Sequence, residues 1–128
     1  MSEYSGKILI AGLFLAMLLW AVYIQYIASE EAIILIVSYN IDKFFHFIGG
    51  VFVAAVVFEL QGGIKSVQLF LFVFTASVIW EIAEVVFEPR VDLFFNNRPE
   101  LWLEDASLDT LFAFLGAWIY LNFYRGGK

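Results

Sequence analysis

The sequence predicts an all-α integral membrane protein: a bundle of four transmembrane helices with one short interfacial segment. Three observations carry that expectation. Hydrophobic residues make up 62% of the 128-residue chain, against roughly 45–50% in soluble domains. Charged residues are 16%, where about 25% is usual. The apolar residues are also gathered into long segments suited to a ~30 Å hydrocarbon layer. A soluble chain of this length could not hide so much apolar surface; lipid removes the need. The length fits one transmembrane domain, residues 1–128.

The first segment, "ILIAGLFLAMLLWAVYIQYIA" at residues 8–28, is uncharged. Its apolar run is too long for a signal peptide, and "YIASE" lacks a small residue three before a cut after Ser29. It is therefore expected to stay as a transmembrane helix. "SEEAIILIVSYN", residues 29–40, is too short to span; it is expected to lie at the interface or to start the second helix early. The second helix is predicted over 41–60, stopping at "QGG". The third is predicted over 66–88, because Pro89 forbids continuation beyond Glu88. In "PRVDLFFNNRPELWLED", residues 89–105, charges and apolar groups mix. Phe94, Phe95 and Trp102 there predict a loop resting on the membrane surface. The fourth helix is predicted over 107–124. Spacings of four in Gly50/Ala54 and Ala113/Ala117 are read as close helix packing.

Composition excludes several functions. With no cysteine, disulfides, thiolate metal sites and cysteine catalysis are ruled out. A net charge of −6 without a basic cluster argues against nucleic acid as a partner. Four crossings put both termini and Lys65 on one side. That side holds Lys7, Lys65, Arg125 and Lys128; the other holds Lys43, Arg90 and Arg98. The bias predicts cytoplasmic N and C termini in the cell membrane. Of the thirteen acids, only Glu3 and Glu59 fall on that inner side.

The ionisable residues converge. The second helix enters with Asp42, Lys43 and His46, the chain's only histidine. The third exits with Glu81, Glu84 and Glu88, and the fourth enters with Asp105 and Asp109. Alternating helices place these three sets in one layer, near the extracytoplasmic face. Spacings of three and four put each set on one helix face. Charges inside a membrane face inward and find protons, cations or water, so His46, Glu81, Glu84 and Asp109 are expected to gather. One imidazole with several carboxylates suits Zn²⁺, Mn²⁺ or Fe²⁺ better than Mg²⁺ or Ca²⁺. Those four residues are the candidate metal ligands. Glu84 and Asp109 are also the candidate general bases for water activation. Asp42, Lys43 and Asp105 form the surrounding set, with Asp42 orienting the His46 ring from one turn away.

Plainer readings stand beside these. Asn40, Asp42 and Asp105 could cap helix N-termini. Lys43 could snorkel to the interface. Glu88 could be solvated, and His46 could be a packing histidine. Glu59 reads as an interfacial charge at the opposite end of the second helix.

"DKFFHFIGG" at 42–50, "WEIAE" at 80–84 and "DASLDTLFAFLGA" at 105–117 resemble the pattern of the VanZ-like and YjdF-like small membrane proteins. The resemblance covers three of the four helices. It implies a four- or five-helix membrane fold and points at Asp42, His46, Glu81, Glu84, Asp105 and Asp109. It implies a link to the cell envelope through glycopeptide-antibiotic resistance; no catalytic activity follows from it. The loop before the fourth helix is shorter than the YjdF-like pattern implies.

Three functions are compatible with this reading. One is a metal-dependent membrane hydrolase acting on a lipid-linked or envelope substrate. Another is a binding or transport module that handles protons or a cation. The third is a structural subunit of a homo-oligomer or larger membrane complex. Membrane lipids are the expected surroundings in each.

Overall fold

A computed structural model describes residues 3–61, 64–87, 95 and 98–123, with side chains from residue 6 onward. Its helices are α1 (Glu3–Val22), continued by a π-helical turn (Tyr23–Ile27), then α2 (Glu30–Ser38), α3 (Asp42–Gln61), α4 (Ser66–Phe87) and α5 (Pro99–Phe123). The described residues contain no strand. Four stretches are long and apolar enough to cross a membrane: Gly6–Ile27, Asp42–Gln61, Ser66–Phe87 and Pro99–Phe123. The expected all-α membrane bundle is therefore what the chain forms. Large apolar side chains such as Leu19, Ile79 and Leu111 stand about 60% exposed on its flanks. Lipid tails solvate such groups as well as another leucine would. Four polar side chains on the spans are satisfied within their own helix. Thr75, Ser107, Thr110 and Asn122 each donate to the carbonyl four residues earlier, which spares them an outside partner.

The segment after the first span is a separate helix, not an early start of the next one. Ser29 caps α2, its Oγ accepting from the Ala32 amide at 3.2 Å. At the other end Asn40 adopts φ 54°, a left-handed conformation that asparagine tolerates better than most residues. The Asn40 amide donates to the Val37 carbonyl and the Ile41 amide to the Ile36 carbonyl. That pair of bonds is a Schellman ending, and it turns the chain into α3. Asn40 therefore closes α2 and does not cap α3.

The last helix departs from expectation at its start. It begins at Pro99, eight residues before the predicted 107. Proline suits the first helical position, because its missing N–H is needed by no partner there. Arg98 supplies the carbonyl for the Leu101 and Trp102 amides. Trp102 is thus helical and not in a loop, and Phe95, in a turn, is buried at 6% exposure. Asp105 falls inside the helix, so it is no N-cap. Phe94, Glu88, Pro89, Arg90 and the two glycines after Gln61 lie outside the described residues.

Helices α3 and α5 run parallel and form the tightest contact in the bundle. A Cβ on Gly50 would strike the Ala113 backbone, and one on Gly116 would strike the Phe47 carbonyl and the Val51 amide. Ala54 and Ala117 are fully enclosed beside them. The small residues act as packing surfaces, as read from their spacing. This contact sets Lys43 and His46 of α3 level with Asp105 and Asp109 of α5. Helix α4 packs on α5 through Phe70 and Phe114, edge to face at 5.5 Å. An apolar core of Ala54, Leu69, Val73, Ala117 and Tyr120 fills the half of the bundle away from the charges. Helix α1 lies on the outside. Its Trp20 stacks on Phe45 of α3 at 3.7 Å, and Gln25 donates to the Phe87 carbonyl at the end of α4.

Candidate functional site

The predicted layer exists, and it divides into two clusters. The first surrounds an ammonium. Lys43 is 2% exposed. Its Nζ lies 2.9 Å from Asp42 Oδ2, 2.5 Å from Asp105 Oδ1 and 2.8 Å from Asp109 Oδ1. The three aspartates offer oxygens close enough together to hold a metal ion, but the protein's own cation fills the space between them. Lys43 therefore does not snorkel; it turns inward and neutralises part of the aspartate charge. Asp42 gives Oδ2 to Lys43 and leaves Oδ1 buried without a hydrogen-bond partner. It neither caps α3 nor orients His46.

The second cluster is His46, Glu81 and Glu84. Each offers a ligand atom, and these atoms lie within 4.8 Å of one another. His46 Nδ1 is 4.0 Å from Glu81 Oε1. Glu81 is 7% exposed, and its Oε1 is buried with no hydrogen-bond partner. Glu84 differs: its Oε1 accepts from Trp80 Nε1 at 2.9 Å. No lysine or arginine among the described residues stands within ion-pair distance of Glu81 or Glu84.

Asp109 joins the clusters. It is 1% exposed, with Oδ1 toward Lys43 and Oδ2 3.5 Å from His46 Nε2. The ring of His46 thus lies between Asp109 and Glu81. Asp109 Oδ2, in the place expected of Asp42, is the aspartate oxygen within ion-pair distance of the His46 ring, since α5 approaches α3 closely enough at Gly50 to bring it there.

Beside the second cluster opens a cavity of about 240 Å³, lined mainly by apolar side chains of α1, α3 and α4. Asp42, His46 and Glu84 form its polar end. The family models, curated proteins and solved structures compared with this chain yield no match. The site must therefore be read from its own geometry.

Two features escaped sequence reasoning. One is the central position of Lys43. The other is Trp80, which lies four residues before Glu84 and so on the same helix face; that spacing was the available signal for their hydrogen bond. Among the described residues, the opposite half of α3, α4 and α5 carries one ionisable acid, Glu59, near the end of α3.

Proposed function

We propose that this chain is a membrane protein whose His46, Glu81 and Glu84 hold a divalent ion, and that it acts on a lipid-linked or cell-envelope substrate from the extracytoplasmic face. One observation carries the reading. Glu81 Oε1 is buried, makes no hydrogen bond and stands beside an imidazole and a second carboxylate, whereas the neighbouring aspartates already have a cation in Lys43. An unpaired charge at that depth is costly, and a metal ion removes the cost. The donor set fits zinc, manganese or iron(II). Asp109 behind His46 reproduces the carboxylate–histidine arrangement that fixes a ligating ring. With the ring proton toward Asp109, Nδ1 presents its lone pair to the cluster.

A bound ion would supply Lewis acidity for hydrolysis. The protein's own residues do the rest. Asp109 holds the ring, and Lys43 with Asp42 and Asp105 fixes Asp109. Glu84 is anchored by Trp80 through Oε1, which leaves one oxygen at the cavity wall, to hold the ion or, where His46 and Glu81 suffice for that, to take a proton. Asp109, ion-paired with Lys43 through Oδ1 and facing the His46 ring with Oδ2, is less suited to take a proton. The halt of ionisable groups halfway along α3, α4 and α5 favours a site open to one side over a path through the membrane. The resemblance of the three motifs to VanZ-like and YjdF-like proteins supports the same residues, and we propose membership of that group.

Metal analysis of the purified protein tests the reading. After exposure to zinc, manganese or iron(II), one ion per chain is expected, and it is lost in both His46→Ala and Glu81→Gln. Glu59→Gln, at the far end of α3, should keep it. Absence of metal from the wild type, or retention in both site variants, would overturn the proposal.

A further inference from the structure

The cavity beside His46 names a class of ligand. It deepens the function proposed above, since the same site would receive the molecule. From Asp42 and Glu84 it reaches down to Val53 on α3 and Val73 on α4. Each of those distances is eleven residues, or about 16 Å of helix. Its lower part is apolar apart from Ser77, and Gly49 adds no side chain there, where Met17 Cε would lie 3.7 Å from a Cβ. Its volume of about 240 Å³ compares with the roughly 150 Å³ of a dry apolar cavity that takes up one benzene. That is room for one narrow hydrocarbon chain and too little for two.

The upper end selects the head group. The carboxylates of Asp42, Glu81, Glu84, Asp105 and Asp109 share this layer with one ammonium among the described residues, that of Lys43, which pairs with the three aspartates alone. Even with a divalent ion on the second cluster, the layer keeps a negative formal charge. Trp20 and Trp80 line the same end, and aromatic faces attract cations. Carboxylates with indole rings at the mouth of an apolar slot suit an ammonium and repel a sulfate or phosphate.

We infer that the α1/α3/α4 cavity binds a single-chain amphiphile with a cationic ammonium head, the tail lying along Gly49, Val53 and Val73 and the head beside Asp42 and Glu84. The test is titration of the protein in zwitterionic-lipid nanodiscs with dodecyltrimethylammonium and with dodecyl sulfate, read by tryptophan fluorescence. Saturable binding of the ammonium at least tenfold tighter than the sulfate is expected. Gly49→Leu, which fills the slot, should abolish it, and Glu84→Gln should shrink the preference several-fold. Circular dichroism and size-exclusion elution confirm that each variant folds, and Val53→Trp is a second slot-filling variant should Gly49→Leu fail to. Equal binding of the two amphiphiles, or undiminished binding in the slot-filling variants, would overturn the inference. Metal content measured on the same samples separates the two claims. Preference for the ammonium in metal-free protein upholds this inference while the metal reading fails, and a loaded protein that does not discriminate does the reverse.

Discussion

Lys43 shows how one side chain sets the character of the layer. Its ammonium touches three aspartates and almost no solvent. Removing one partner of a buried ion pair leaves charge with no compensation, at about 3–5 kcal/mol. Lys43→Met should therefore destabilise the protein by about that much, measured as a drop in unfolding midpoint in detergent. Replacing Asp105 and Asp109 with asparagine in the same chain should recover part of the loss, because fewer charges are then stranded. A Lys43→Met protein as stable as wild type would show that the triad is not what holds the ammonium's place. The sequence made the layer legible, since Glu81 and Asp109 interrupt apolar helix and helix alternation brings them level. It did not give the pairings. Spacing says which face of a helix a residue shares, but not which neighbour its side chain meets across the bundle. That is why Asp42, expected at His46, instead serves Lys43, and why Asp109 takes its place.

At the scale of the helix, the α3/α5 contact makes the site. The carboxylates of α5 reach Lys43 and His46 only because Gly50 and Gly116 let the two backbones meet. A methyl group on Gly50 has rigid backbone in its way, not a flexible side chain. Overpacking of this kind costs about 1–3 kcal/mol, so Gly50→Ala should lower stability by that order and weaken metal retention with it. Gly12 on α1 is the control, since nothing lies within 4 Å of a Cβ there. Gly12→Ala should be neutral or add up to about 1 kcal/mol, as expected for a mid-helix glycine. Thermal melts of the two variants side by side decide the matter, and equal effects would remove the special status of the contact. The packing role of these small residues could be read from the spacings Gly50/Ala54 and Ala113/Ala117. The start of α5 could not. Mixed charge and aromatic residues after Pro99 carry a surface-loop signature, yet helix formation needs only satisfied backbone bonds, and the Arg98 carbonyl with a proline at the first position provides a start. At 25 residues, or about 37 Å, α5 exceeds a ~30 Å hydrocarbon layer. Its charged first turns therefore have room to stand outside.

For the whole molecule, the decisive property is that threading puts every acid of the site at one level. Helix α3 begins, α4 ends and α5 begins on the same side, and the apolar core occupies the other half. A polar layer backed by apolar helix is a pocket open to one side, which suits capture of a molecule from that leaflet. The arrangement makes a topological prediction that the absence of cysteine renders simple to check. Single cysteines at Glu30, Lys65 and Glu100, all exposed, report the side on which each helix end emerges. A membrane-impermeant maleimide applied to intact cells should label Glu30→Cys and Glu100→Cys. Lys65→Cys should react only after permeabilisation, in keeping with the lysine and arginine bias toward that face. Labelling of Lys65→Cys alone would invert the orientation and turn the pocket toward the cytoplasm, leaving the layer itself in place. Labelling of Glu30→Cys and Glu100→Cys from opposite sides is the damaging outcome. It would put the start of α5 across the membrane from the start of α3, and Asp109 could no longer stand between Lys43 and His46.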